Sequence, residues 1–558
     1  MKRRWRALTV LGTAVIVVSA FLGVLPQLGA AAEFTASMSA TLLVNDTSAT
    51  GSVGDSKLSL DEAIRLANGS LALSRLSSAE RAQIHGKPGP GTASLIRVTL
   101  PKGAVIAAST ALSVIRGNTD GTIDGNGVTL TGDGNGTAMT LSSSDFTLKN
   151  MTIKGFGTDL AIDPAGQSLH HITVTNVRLD PASGGALLVG STKSDGSLSG
   201  LIVTHSVFDG GTLSTSEWET RSTQTTFSNT TAGLPAASLL VVGIGAGLAQ
   251  SGHPVSNTSL DNVLFAHNTV TNGFEGLYVF GGVTHNSVID HSVTQNVRLL
   301  DNQFPNVPDA SLNAIGSEGI GSGSDNGVEN LTISGNDVTA RDWGIALWGG
   351  ETYGDGFSQD NFVRNVDISH NNVVGAPGPD FAGTSECIDL EGAWTTIAQG
   401  VQAGSSISDV RVNNNQVSGD CTVGIKATGG VAEVPPSSVT AGNSVHDVSI
   451  RGNDVRGAST GLEIEGGYTL GPVGTLVAGN AVRSVDVAQN SFIGNGSAPG
   501  IQMIGGFSQA NSAVTGNLVA AITFAGNVVQ GYSTTCTTVV NMGSHASDNY
   551  NSVSCPQP

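Results

Sequence analysis

The 558-residue chain carries 75 glycines, only 5% aromatic residues, and 44 acidic against 25 basic side chains, for a formal charge of −19. So acidic a protein is a poor partner for nucleic acid or an anionic membrane surface, and a neutral glycan suits it better than a long polyanion such as pectate or alginate. Length alone would allow roughly three or four globular domains, yet the repeats described below argue for one long body with a different beginning.

Residues 1–32 read as a secretory signal: Lys2, Arg3, Arg4 and Arg6, an apolar stretch from Ala7 to Leu28, then Gly29-Ala30-Ala31-Ala32 as a cleavage site. An uncleaved anchor is the alternative, and no other segment could span a bilayer. Cleavage removes four basic residues and no acid, taking the charge to −23. Residues 33–120 read as an N-terminal cap, with a strand at Leu42–Asn45 and a turn at Gly54–Lys57. Ser59 and Glu62 have capping-box spacing ahead of Ala63, Ile64, Leu66 and Ala67, which predicts a short amphipathic helix. Such a helix can cover the open apolar end of a first coil.

Residues 121–535 are strand-rich, with Thr122–Thr131, Ala138–Ile153, His170–Leu179 and Gly200–Phe208 expected in shorter, less regular coils. Glu217–Ala236, carrying Trp218, reads as a loop insertion, and regular coils run from Leu260 to Gln530. There the unit aliphatic–x–x–Asn–x–aliphatic recurs with Asn268, Asn302, Asn336, Asn371, Asn415, Asn453, Asn490 and Asn527, at spacings of 34 to 44 residues. A period of that length predicts a solenoid, with the asparagines stacked as a ladder at a corner. Residues 536–558 form a tail. Proximity pairs Cys536 with Cys555 and Cys387 with Cys421, the latter bridging adjacent coils; free buried thiols are the alternative.

A second repeat fixes which side chains face out. Gly276–Gly282 (GLYVFGG), Gly344–Gly350 (GIALWGG), Cys387–Ala393 (CIDLEGA), Gly424–Gly430 (GIKATGG), Gly461–Gly467 (GLEIEGG) and Gly500–Gly506 (GIQMIGG) share small–aliphatic–x–aliphatic–x–Gly–small. Period-two alternation sends the aliphatic residues inward and the others to solvent. Read coil by coil, the outward residues are Tyr278 and Phe280, Gly321 and Gly323, Ala346 and Trp348, Asp389 and Glu391, Lys426 and Thr428, Glu463 and Glu465, then Gln502 and Ile504.

The runs GDSKLSLDEAIRLAN at Gly54–Asn68 and IDGNGVTLTG at Ile123–Gly132, with the Asn-x-aliphatic coils, resemble the secreted right-handed parallel β-helix proteins. That superfamily includes pectate lyases, polygalacturonases, inulin fructotransferases and many surface proteins. The resemblance covers residues 40–535 and implies an all-β, single-stranded right-handed parallel β-helix with a short N-terminal capping helix. No member's catalytic motif maps onto the chain, so it assigns no site residue.

The outward residues make the candidate site. Asp389 and Glu391 are the first choice for acid/base catalysis, Glu463 and Glu465 the second, and Lys426 lies between the two pairs to tune their charge. Strand geometry sets alternate carboxylates ~6.6 Å apart, inside the roughly 6.5–9.5 Å that inverting glycosidases use. Tyr278, Trp348 and Trp394 are expected as sugar platforms. The segments after each Gly-Gly are expected to leave the body as loops walling a groove and bringing Glu351, Tyr353, Asp355 and Tyr468. Glu275, Glu318 and Glu386, just before the strand, either reach the groove or decorate a corner. The bland reading is that Lys426 merely neutralises a stack of surface acids.

These residues predict a secreted enzyme that hydrolyses a polysaccharide or oligosaccharide, without a cofactor. An elimination with Lys426 as base, helped by calcium on Glu463 or Asp389, and an intramolecular transfer are the alternative chemistries; a non-catalytic adhesive protein is the alternative class. The runs at Gly354–Asn361 (GDGFSQDN) and Gly323–Gly327 (GSDNG) offer oxygens for calcium, though neither has a calcium-loop spacing. His267, His285, His370 and His446 have no metal spacing. A homo-oligomer is compatible with stacked coils.

Overall fold

The computed structural model describes residues 40–555 apart from 118–119, 183–184, 211–239, 274, 308–309, 353–355, 377–384, 396–399, 433–437, 470–473, 497 and 509–511. The signal at 1–32, the 217–236 insertion with Trp218, and Tyr353 and Asp355 lie outside the described residues.

The chain winds as a single-stranded right-handed parallel β-helix. One coil runs Ser406–Asn413, Gln416–Gly419, Val423–Thr428, Val431–Ala432, Val439–Ala441, and each segment pairs in parallel with its equivalent in the next coil. Alternation buries what the heptads predict. Leu277, Val279, Ile345, Leu347, Ile388, Leu390, Ile425, Ala427, Leu462, Ile464, Ile501 and Met503 all lie in the main core at 0% exposure. Each Val, Leu, Ile or Met side chain so buried stabilises the coil by about 1.5–3 kcal/mol.

The corner is held by asparagine. From Asn268 to Asn527, each Nδ2–H donates to the Oδ1 of the repeat asparagine one coil on at 2.9–3.2 Å. That oxygen also accepts the preceding asparagine's backbone N–H at 2.9–3.0 Å. A second ladder, unpredicted, joins Asn443, Asn480, Asn517 and Asn549, and another pair joins Asn326 to Asn361. The calcium runs thus place Asn326 and Asn361 in a buried corner, where their amides bond to protein.

At the start, Leu60–Ala67 is helical with both halves of the Ser59/Glu62 capping box formed, and it turns Leu60, Ala63, Ile64 and Leu66 into the core. Both expected disulfides are present, Cys387–Cys421 and Cys536–Cys555.

One expectation is corrected. The Gly-Gly does not launch a loop; the chain bends and makes another short strand, as at Glu351–Thr352, Trp394–Thr395, Val431–Ala432 and Tyr468–Thr469. The bend demands glycine because coils touch there: a Cβ on Gly349 would sit 2.2 Å from the Gly392 carbonyl oxygen, and one on Gly392 2.3 Å from that of Gly429.

Candidate functional site

Across the coils, the side chains facing away from the main core line up in columns. One runs Tyr278, Asn313, Ala346, Asp389, Lys426, Glu463, Gln502; its neighbour runs Phe280, Ile315, Trp348, Glu391, Thr428, Glu465, Ile504. Asp389, Lys426 and Glu463 therefore share one wall in the expected order. The coil before Trp348 differs, because its places belong to Asn313 and Ile315 rather than Gly321 and Gly323. Ser311–Ser317 (SLNAIGS) fits the same heptad template, so that signal is present in the sequence. Past the glycine bend, a third column runs Glu351, Trp394, Val431, Tyr468, Phe507. Glu318 stands beside Val283, beyond the bend rather than before the strand.

The expectation that these side chains meet solvent fails. Asp389 is fully buried, and Tyr278, Trp348, Glu351, Glu391, Trp394, Lys426 and Glu465 are at most 6% exposed. The aromatics cause this. Tyr278, Phe280, Ile315, Ala346, Trp348, Trp394 and Val431, with Trp343 and Tyr468 against them, form an apolar cluster separate from the main core. Trp343, Trp348 and Trp394 pack edge to face with centroids 4.6–5.5 Å apart, so they roof the site instead of offering flat exposed platforms. Trp343, Glu386, Glu463, Tyr468 and Gln502 keep partial exposure, the Glu386 side chain only 13%, and form its rim.

Lys426 is the electrostatic centre. Its Nζ donates to Glu386 Oε1 at 2.7 Å and to Glu391 Oε1 at 3.4 Å, and it lies 5.3 Å from the Tyr468 ring centroid. Burial alone would lower its pKa, but Glu386, Glu391, Asp389 and Glu465 outweigh burial and hold the ammonium well above its ordinary value. Glu386, left undecided by the sequence, thus belongs to the site, and its Oε2 accepts from Trp343 Nε1 at 3.1 Å.

Asp389 is held well above the usual carboxylate range, first by burial and then by Glu391 and Glu386, although Lys426 and the Trp348 indole N–H at 3.1 Å oppose the shift. The shift favours its protonated, neutral form. Burial raises Glu465 well above its ordinary value, with Glu463 adding to the shift. Burial likewise lifts Glu463 and, beyond the bend, Glu318 to about 7.

Glu386, Asp389 and Glu391 each bring an oxygen within 4.8 Å of the others. Such a set can hold a cation, and the Lys426 ammonium already stands among them. The spacing corrects the ~6.6 Å expected from strand geometry: the acids gather around Lys426 rather than projecting straight out, which brings oxygens of Asp389 and Glu391 within 4.8 Å of each other.

Beside this paired centre lies a row of buried polar atoms with no hydrogen-bond partner among the described residues. They are both amide atoms of Asn313, Glu318 Oε2, Asp389 Oδ1, Trp394 Nε1, Thr428 Oγ1 and Glu465 Oε2. A buried polar group without a partner costs about 1–3 kcal/mol. A wall that concentrates several in one place is suited to a polar ligand with donors and acceptors of its own.

No family model matches the chain, and no curated protein matches it. Among solved structures, it is similar to the surface adhesin PfbA of Streptococcus pneumoniae, at 10% identity over 80% of this chain and 91% of that one, with a TM-score of 0.32. It is similar to the A-module of the Azotobacter vinelandii mannuronan C-5 epimerase AlgE4, at 12% identity over 82% and 91%, with a TM-score of 0.22. A third similar structure is the Dettilon tailspike protein, at 13% identity over 68% and 62%, with a TM-score of 0.23. Likeness at this level assigns no activity.

Proposed function

We propose that this wall is the active site of an exported enzyme that cleaves a polysaccharide or oligosaccharide by carboxylate acid/base chemistry. One observation carries the reading: three carboxylates converge on a buried lysine beside a row of unpartnered donors and acceptors, under three tryptophans. Sugar hydroxyls both donate and accept, and sugar C–H faces pack on aromatic rings. The two disulfides suit an oxidising, extracytoplasmic setting.

The spacing favours a double displacement, which uses carboxyl groups about 5–5.5 Å apart, over direct attack by water. Glu391, paired with the Lys426 ammonium, attacks the anomeric carbon as the glycosidic C–O bond breaks and the Asp389 proton passes to the leaving oxygen. Asp389, now a base, takes a proton from water; the resulting hydroxide releases the sugar from Glu391 and restores both acids. Glu463, on the rim, and the buried Glu465 form the second acidic pair. Asn313, Tyr278, Trp348, Trp394, Glu351 and Tyr468 line the bound sugar, and substrate enters past Trp343 and Glu386. An elimination with Lys426 as base fits less well, because that ammonium is buried, doubly paired and raised in pKa. Transfer within the substrate would use the same two acids.

The test is a glycan panel scored for reducing ends and for unsaturated-uronate absorbance. Reducing ends without absorbance are expected, with Asp389→Asn lowering turnover by about 10²–10⁴-fold while melting temperature holds, and Glu391→Gln lowering turnover as well but with a lower melting temperature, because it strands the Lys426 ammonium. Cleavage that survives both substitutions places the chemistry elsewhere, and silence on every glycan favours an adhesive protein.

A further inference from the structure

Far from this wall, the early coils bring together a set of side chains that the proposed chemistry does not use. Asp145 Oδ1 lies 3.2 Å from His170 Nδ1 and 2.9 Å from His171 Nδ1, and the three atoms fall within 4.8 Å of one another. Consecutive residues of an extended strand point to opposite faces. Here the left-handed backbone at His171, with φ of 52°, turns its ring to the same side as that of His170, and the rings meet at 5.1 Å. Space for this comes from the next coil. Gly200 stands under His171, where a Cβ would lie 3.1 Å from the ring.

The corner itself does not require histidine. Its places in later coils hold Asn262, Asn296, Asn330 and Asn365, all left-handed, and the last three bond amide to amide. Only asparagine, aspartate, histidine and glycine tolerate that backbone readily, so Asp145, His171 and Gly200 are conformationally acceptable there. The conformation does not explain why His170 should add a second imidazole aimed at the same carboxylate oxygen. Asp120 holds the same corner one coil before Asp145 and is exposed, adding negative charge nearby.

We propose that Asp145, His170 and His171 form a three-ligand site for a divalent transition-metal ion of the zinc, nickel or copper class. Imidazole and carboxylate suit these ions. A tetrahedral zinc with bonds of about 2.0–2.1 Å holds its ligand atoms about 3.3 Å from each other, and the two nitrogen–oxygen separations are within a few tenths of an ångström of that value. Binding needs only small side-chain shifts. His171 and His170 are 76% and 52% exposed, so an ion enters directly from solvent and keeps at least one position for water.

Isothermal titration of the chelator-treated, desalted protein with Zn²⁺ tests this. A single saturable site is expected. His170→Ala and His171→Ala should each weaken it by more than the roughly 10- to 100-fold that loss of even an outer-shell partner costs, with melting temperature in the absence of metal unchanged. His291→Ala, in the separate cluster with Asp290 and Asp325, should leave binding unchanged. In Cu²⁺ electron paramagnetic resonance, nitrogen coupling present in the parent protein should diminish in either variant. The proposal is overturned if Zn²⁺ shows no saturable binding, or if binding and the copper spectrum survive both histidine substitutions.

Discussion

Lys426 shows how one side chain organises the site. Its ammonium is the counter-charge for Glu386 and Glu391, all three well buried, and removing one member of a buried ion pair costs about 3–5 kcal/mol because the other charge is left stranded. Lys426→Met is therefore expected to lower unfolding free energy by about that much in urea titration, and Lys426→Met with Glu391→Gln should recover part of the loss. A single variant as stable as the parent would mean that water, not lysine, neutralises these acids. The identity and order of Asp389, Lys426 and Glu463 were legible in the heptads, since alternation along a strand is local. Their burial was not: it depends on Trp343, Trp348 and Trp394 meeting one another, and Trp394 comes from a strand beyond the bend.

At the scale of the element, the asparagine ladder supplies a stabilisation that no strand provides alone. Asn415 Oδ1 accepts both the backbone N–H and the Nδ2–H of Asn371, while its own Nδ2–H donates to Asn453 Oδ1. Asn415→Leu leaves two donors of Asn371 buried and unmatched, at about 1–3 kcal/mol each. A clear fall in thermal midpoint is expected, larger than for Asn527→Leu at the half-exposed end of the ladder. Equal effects at both positions would argue that the ladder is incidental. The ladder was readable because its eight members repeat, whereas the strands after each glycine pair were not. Segments of two residues, such as Glu351–Thr352, carry no periodicity.

The whole molecule carries buried acids whose protons are held by the fold. Asp159 is pushed up to about 8 by burial, against backbone hydrogen bonds from Asp180 and Phe156, and Glu318, Asp389, Glu463 and Glu465 are raised as well. A folded-state value above the unfolded one means the native state binds the extra proton. That stability is fully present below the unfolded value, near 4, and is lost as pH rises through the folded value, by up to about 1.4 kcal/mol per pH unit per group. Asp486, lowered by its hydrogen bond from Arg451, works in the opposite sense but is exposed. Melting temperature is thus expected to fall from pH 5 to pH 8, and Asp159→Asn to flatten the slope. A curve that rises over this range would contradict protonation of these acids in the native state.

The amino-acid order by itself determined the β-helix, the inward residues of its main wall, the asparagine corner, the capping helix and both disulfides, because each rests on short-range periodicity or on spacing along the chain. The tertiary structure alone decided that the acidic wall is roofed, that Glu386 joins Lys426, that Asn313 takes the place expected for Gly321, and that His170 and His171 face Asp145. These facts depend on which coils come to lie side by side and on where a left-handed residue or a glycine bend reverses the alternation, and neither is set by any one repeat.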